Sequence, residues 1–179
     1  MAPPIDDLSA VDADAEEIRN LLRHQASTVT VVTAPGAPAV GFTATSFTSV
    51  SLDPPVVSFC VNNGSSSWPT VATARHVGVH LLAHHQQGLA DTFATSGIDR
   101  FAAPTRWRTG PAGVPILDGT LAWLLCRVID RVTVGSHAIV LAEPELIRRA
   151  QAGSPLLYHR GRYTGLATAA EAWAAHAAA

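Results

Sequence analysis

One stretch constrains this chain more than any other: AVGFTATSFTSVSLDPPVVSFCVNN, from Ala39 to Asn63. Its first half alternates with a period of two. Val40, Phe42, Ala44, Ser46 and Thr48 fall on one side of an extended chain, and Thr43, Thr45, Phe47, Ser49 and Ser51 on the other, which gives a β-rich segment one face dense in hydroxyls. Asp53-Pro54-Pro55 then stops the strand, because prolines supply no ladder donor and hold the preceding residue extended. Val56 to Val61 (VVSFCV) is apolar throughout most of its length, as a buried strand is. The stretch therefore reads as one polar-faced strand from Val40 to Ser51, a turn, and one buried strand.

The rest of the chain is punctuated in the same way. Residues 1–13 are rich in Pro and Asp and are expected to be a flexible tail. Asp14 to Gln25 predicts a helix, with Asp14 as cap, acids in the first turn and Ile18, Leu21 and Leu22 as its apolar stripe. Thr28 to Ala34 is β-branched, and Pro35 to Pro38 turns it back into the polar-faced strand. After Asn63, the run Gly64-Ser65-Ser66-Ser67-Trp68-Pro69 predicts a short helix with Pro69 at its first position. Free N–H groups beside hydroxyls suit a phosphate, and they equally suit ordinary capping. His76 to Ala83 predicts a strand. His76, His80 and His84 would share one face of a helix, but on a strand successive members stand about 13 Å apart, too far to share a metal ion. His84 and His85 are expected to face opposite sides. Gln86 to Ser96 predicts a helix that buries Leu89 and Phe93, and Ala102 to Gly113 a long functional or interface-forming loop around Trp107. Thr120 to Val134 predicts a long strand. Gly135-Ser136 turns it into His137 to Leu146, interrupted at Pro144, and Pro155 to His159 is a last strand candidate. Residues 167–179 are an Ala-rich tail or short helix, which leaves 14–166 as one domain. Links this short join antiparallel strands, so the fold class is mainly β with short helices, closed as a barrel.

Composition excludes several functions. A net charge of −2 gives nucleic acid no basic footprint. All 12 basic residues are arginine, so there is no Schiff-base lysine and no P-loop lysine. No G-x-G-x-x-G occurs, so a dinucleotide would not bind in the Rossmann manner. The 2 cysteines, Cys60 and Cys126, sit far apart in strand-like runs and read as free thiols of a reducing cytoplasm. No apolar run approaches the roughly 18 residues needed to span a bilayer. The acidic N-terminal segment lacks the pattern of a secretory signal.

Several pieces, in order, resemble the flavin reductase-like family, the small reductases of two-component flavin monooxygenases. They are STVTVVTA, GFTATSFTSVSLDPPVV, SSSWPTV, VGVHLLA, DRF at Asp99 to Phe101, PILDGTLAWLLCRV, VGSHAIVLAE and PLLYHRGRYTGL, spanning about Ile18 to Tyr163. The resemblance implies a six-stranded antiparallel Greek-key split β-barrel that works as a homodimer, with flavin in a groove at or near the subunit interface. It places Thr43, Ala44, Thr45, Ser46 and Phe47 along the isoalloxazine ring, with Ser51 on the same polar face. Asn62, Asn63, Ser65, Ser66 and Ser67 would meet the ribityl chain and phosphate, Phe101 and Tyr163 would border the site, and His137 would be the catalytic histidine near flavin and nicotinamide. Read alone, His137 reads first as a turn histidine bonded to its own backbone, and it is the resemblance that makes it catalytic.

The implied function is an NAD(P)H-dependent flavin reductase that passes hydride from NADH or NADPH to FAD or FMN and supplies a partner monooxygenase, without membrane or nucleic-acid contacts. The alternative is a flavin- or haem-binding carrier, sensor or partner subunit without turnover. Hydride transfer between two rings needs little acid–base help, so the lack of a triad agrees with either. Thr45 stands where the family commonly has Asn, Ser66 where it often has Arg or Lys, His80 for Asn and Ser136 for Asp. A missing cation at 66 removes a charge-assisted contact of about 1–3 kcal/mol unless Arg75, Arg100 or Arg106 replaces it.

Overall fold

The polar-faced stretch expected as one strand is two. In the computed structural model, which describes residues 13–149 and 153–166, strand pairing covers Val40–Ala44 and Thr48–Leu52, and Thr45, Ser46 and Phe47 form a corner between them. The 167–179 tail and all but the last residue of the 1–13 tail lie outside the described residues. In chain order the strands are β1 (Ser27–Thr28), β2 (Thr30–Ala34), β3 (Val40–Ala44), β4 (Thr48–Leu52), β5 (Pro55–Asn62), β6 (His76–Leu81), β7 (Trp107–Thr109), β8 (Pro115–Leu117), β9 (Ala122–Val134), β10 (His137–Arg149), β11 (Leu157–His159) and β12 (Arg162–Thr164). The helices are α1 (Ala15–Leu22), α2 (Trp68–Val71) and α3 (Gln87–Ala94).

The main sheet is antiparallel, with the order β3-β2-β6-β9-β10-β5-β4. The two halves of the expected strand thus lie at its opposite edges. A chain that leaves one edge and enters the other after a three-residue corner can do so only if the sheet curls round on itself, which makes it a barrel split at that corner. The Ser46 Oγ accepts from the Cys60 amide at 2.8 Å and ties the corner to β5. The six barrel strands of the sequence reading become seven because this one divides. Two small sheets, β1-β11-β12 and β7-β8, flank the barrel.

Valines and phenylalanines from every barrel strand but β4 fill the interior, among them Val32, Phe42, Phe59, Val61, Val79 and Val140. Helix α3 covers a second cluster of Val31, Leu82, Ala90, Phe93, Leu117 and Leu156. It lies directly on β3: a Cβ at Gly41 would stand 2.6 Å from the Phe93 ring, so only glycine lets helix and strand meet there. Thr43 Oγ1 donates to the Ala90 carbonyl at 2.6 Å and fixes the same contact.

Four local expectations are corrected. The loop from Ala102 to Gly113 is not structureless, since β7 pairs with β8 in register. Pro144 does not interrupt β10, which runs on to Arg149. Pairing with β5 ends at Ala142, so no ladder donor is required of Pro144, and the register against β9 shifts just beyond it. Pro69 is the second residue of α2, behind Trp68. His84 and His85, expected to point apart, meet in a T-shape with ring centroids 5.7 Å apart. Asp14 does cap α1, accepting from the amides of Glu16 and Glu17, but the stripe of Ile18, Leu21 and Leu22 is exposed, Leu21 at 71%.

His80 belongs to the core. It is fully buried on β6; its Nδ1–H donates to the Val31 carbonyl at 3.1 Å and its Nε2 accepts from the Leu117 amide at 3.2 Å. With both nitrogens engaged in that sense the ring is neutral, and burial pushes its pKa down to about 4. His76 instead reaches Glu145 at 3.2 Å, so the three spaced histidines do separate work.

Candidate functional site

The corner, the end of β5, the end of α3 and the start of β10 enclose an open groove of about 600 Å³. Its polar groups come from the hydroxyl face of β3 and from the turn after β5. Thr43, Ala44, Thr45, Ser46, Asn62 and Ser65 line it, as does His137. Among the described residues no Asp or Glu does, and Arg100 supplies the only fixed cation.

His137 is placed by backbone pairing. It stands opposite Asn62 on β5 and opposite Val134 on β9, across the two-residue turn Gly135-Ser136. Gly135 takes φ +57°, the conformation that a tight hairpin asks of its first turn residue. The His137 side chain is exposed, and its Nδ1 lies 3.0 Å from the Ser136 Oγ.

The serine turn divides its labour. Ser67 is fully buried and donates to the Gly41 carbonyl at 3.1 Å, binding the turn to β3. Ser65 Oγ accepts from the Ser67 amide at 3.2 Å, and Asn62 Oδ1 from the Gly64 amide at 2.7 Å. Asn63 donates its amide to the Ser136 carbonyl at 2.9 Å, while its Oδ1 is buried with no hydrogen-bond partner among the described residues. Ser66 is exposed, and Arg100 Nη1 stands 3.4 Å from its Oγ and 3.5 Å from that of Ser67. The guanidinium is held by its Nε, which donates to the Thr95 carbonyl at 2.9 Å. Partial burial lowers its pKa, yet an arginine keeps its charge. The cation that position 66 lacks in sequence is thus delivered in space by Arg100, one of three arginines the sequence could not separate.

The remaining expected residues lie outside the groove. Phe47 leaves the corner to pack on the barrel core. Ser51 lies on β4 opposite Val56, at the end of β5 away from Asn62, and its Oγ accepts from the Asp53 amide at 3.2 Å. Phe101 sits behind α3, edge-on to Phe93 at 5.3 Å and to Trp107 at 5.1 Å, whose Nε1 donates to the Phe101 carbonyl. With Ser66 and Arg100 it lines a second cavity of about 380 Å³. Tyr163 on β12 meets Tyr158 at 5.4 Å, and burial, then the Asp91 carboxylate, raises its pKa.

A third hollow of about 680 Å³ lies between α1 and the β11–β12 hairpin and shares Thr45 and Ser46 with the groove. Arg19, Arg23, Tyr158 and Arg160 line it. Chemically, the groove offers hydroxyls along a strand, one imidazole and one cation. That set suits a flat polar ligand with an anionic end.

A family model described as flavin reductase like domain matches residues 22–167. The chain is 42% identical over 154 residues to an NADH:FMN oxidoreductase of Rhodococcus erythropolis, covering 83% of this chain and 80% of that protein. It is 41% identical over 156 residues to the reductase component of 4-nitrophenol 4-monooxygenase/4-nitrocatechol 2-monooxygenase of Rhodococcus opacus, covering 84% and 80%. The structure of the Streptomyces globisporus C-1027 NADH:FAD oxidoreductase SgcE6 in complex with NAD and FAD fragments matches with a TM-score of 0.84 at 32% identity, over 91% of this chain and 99% of that one.

Proposed function

The chain belongs to the flavin reductase-like family, and we propose that it is an NAD(P)H:flavin oxidoreductase that reduces FAD or FMN and supplies the product to a separate monooxygenase. The observation that carries this reading is the groove itself: a hydroxyl-bearing strand, an exposed histidine and a cation beside a serine turn, with no carboxylate among its lining residues.

The residues present fit a flavin. Thr43 to Ser46 would lie along its ring. Asn62 and Ser65, which line the groove at the strand end and the serine turn, would face the ribityl chain. Ser65, Ser66 and Arg100 would hold the phosphate by charge-assisted hydrogen bonds. When bound, the flavin supplies a hydride acceptor that a nicotinamide can reduce without proton transfer from the protein. The protein's part is to stack and orient two rings and to keep water from between them. His137, at the groove's rim, is the residue placed to position the nicotinamide.

Residues 14–166 form the catalytic domain in this reading, and the protein acts in the cytoplasm as a homodimer. No described helix is long and apolar enough to cross a membrane. Both cysteines are free, and burial pushes the Cys126 thiol up to about 12, which leaves it inert. The exposed stripe of α1, together with Leu52, 86% exposed on β4, is apolar surface of the kind that a second copy covers.

The test is NADH oxidation by the purified protein with FAD, with FMN and with neither, repeated with NADPH. Flavin-dependent turnover is expected. His137→Ala should slow it by about tenfold while flavin affinity stays within about threefold. Flavin binding without oxidation of either nicotinamide would make the chain a carrier instead.

A further inference from the structure

We propose that the cavity on the far side of Arg100 from the groove seats an adenine ring, so that the chain takes the flavin dinucleotide in preference to the mononucleotide. The inference rests on the flavin reading of the groove and deepens it. Arg100 lines both the groove and the second cavity, while the successive residues Ser65 and Ser66 line one each. The two spaces therefore meet at the guanidinium. A flavin whose first phosphate reaches Arg100 ends there if it is FMN. If it is FAD, what remains is a second phosphate and an adenosine, delivered to the mouth of the second cavity.

The walls have the character that an adenosine needs. Pro38, Ala39 and Val40 form one side, Ile98 and Phe101 the other. Ile98 is 48% exposed beside the half-buried Phe101, which stacks edge-on to the buried Phe93, so an uncovered aliphatic side chain stands at the rim of an apolar recess. A volume of about 380 Å³ lies within the range of small-ligand pockets. Asp99 sets the polarity. Its Oδ1 accepts from the Phe101 amide at 3.0 Å, which fixes the carboxylate at the cavity and leaves Oδ2 to accept from an exocyclic amine or a ribose hydroxyl. A carboxylate beside a phosphate would repel it, so the charges sort themselves: phosphates at Arg100, the neutral ring and sugar at Asp99.

The experiment is titration of the purified chain with FAD and with FMN, followed by quenching of flavin fluorescence. FAD is expected to bind at least about tenfold more tightly than FMN. Ala39→Trp fills the cavity and should abolish that lead while the FMN dissociation constant stays within about twofold. Ile98→Ser, at a position too exposed to threaten folding, should shrink the lead by about threefold. Equal affinities, a preference for FMN, or a lead that survives both substitutions would overturn the adenine seat and leave the flavin groove standing. Binding of neither flavin would overturn the groove reading and this one with it.

Discussion

His80 and His137 are the same residue put to opposite uses by two regions of one barrel. Around His80 every polar group is spent: the ring is buried, one nitrogen donates to β2 and the other accepts from β8. Around His137 polar capacity is left over. Among the described residues the imidazole hydrogen-bonds only the neighbouring serine, Asn63 Oδ1 has no hydrogen-bond partner, and the Arg100 guanidinium bonds only two hydroxyls and one carbonyl. The difference separates structure from function more sharply than residue type does. A satisfied polar group holds a fold together; an unsatisfied one, held rigidly, awaits a ligand.

The contrast is broken most forcefully at His80. His80→Ala removes a buried ring and strands the Val31 carbonyl and the Leu117 amide, which together should cost about 3–4 kcal/mol of unfolding free energy in a urea titration. Turnover per folded molecule should not change. A large loss of turnover at unchanged stability would put His80 in the site after all.

The same residue makes stability depend on pH. Its folded pKa of about 4 lies below the ordinary 6.5 of the unfolded chain, so its contribution is fully present above pH 6.5. As pH falls from 6.5 towards 4 the unfolded chain takes a proton that the folded one refuses, and stability declines by up to about 1.4 kcal/mol per unit, about 3 kcal/mol in all. His80→Asn should flatten this slope relative to the parent in urea titrations at successive pH values. An unchanged slope would show that the ring titrates normally.

At the other pole, Arg100→Met should weaken FMN binding by about tenfold and leave riboflavin, which has no phosphate, unaffected. Stability should move little, since the half-buried arginine bonds one loop carbonyl and makes only long contacts to two serine hydroxyls. Equal losses for FMN and riboflavin would mean that Arg100 shapes the groove instead of reading the phosphate.

How much of this was legible in the sequence follows the same division. The hydroxyl-faced strand, the serine turn, the VGSH hairpin and the capped first helix were readable because each is a local pattern with a local cause. The corner at Thr45 to Phe47 was not, because the period-two alternation runs through it without a break; only pairing with opposite sheet edges divides the strand. His80 read only as a departure from the family's Asn because nothing local announces that Val31 and Leu117, distant in sequence, complete its bonding. Arg100 was one arginine of three until the turn after α3 brought it to Ser66. Ser51, expected on the same polar face as the ring-contacting residues, shared their alternation but ended beside Asp53 once the corner had turned the chain.

The smallest effect tests the contrast most finely. Ser136 stands where the family commonly has Asp, and its hydroxyl lies 3.0 Å from His137 Nδ1. If the serine only orients the imidazole, Ser136→Ala removes one exposed hydrogen bond of about 0.5–1 kcal/mol, and NADH oxidation at saturating flavin should fall by about two- to fivefold. The backbone carbonyl that receives the Asn63 amide is untouched by this change, so stability and flavin affinity should hold. Ser136→Asp should restore or exceed the parental rate, because a carboxylate fixes the ring more firmly than a hydroxyl does. A fall as deep as that of His137→Ala would give the serine a direct part in the reaction. No fall at all would mean that the ring is oriented by the bound nicotinamide, and that the open region of this barrel organises its histidine only once a ligand has arrived.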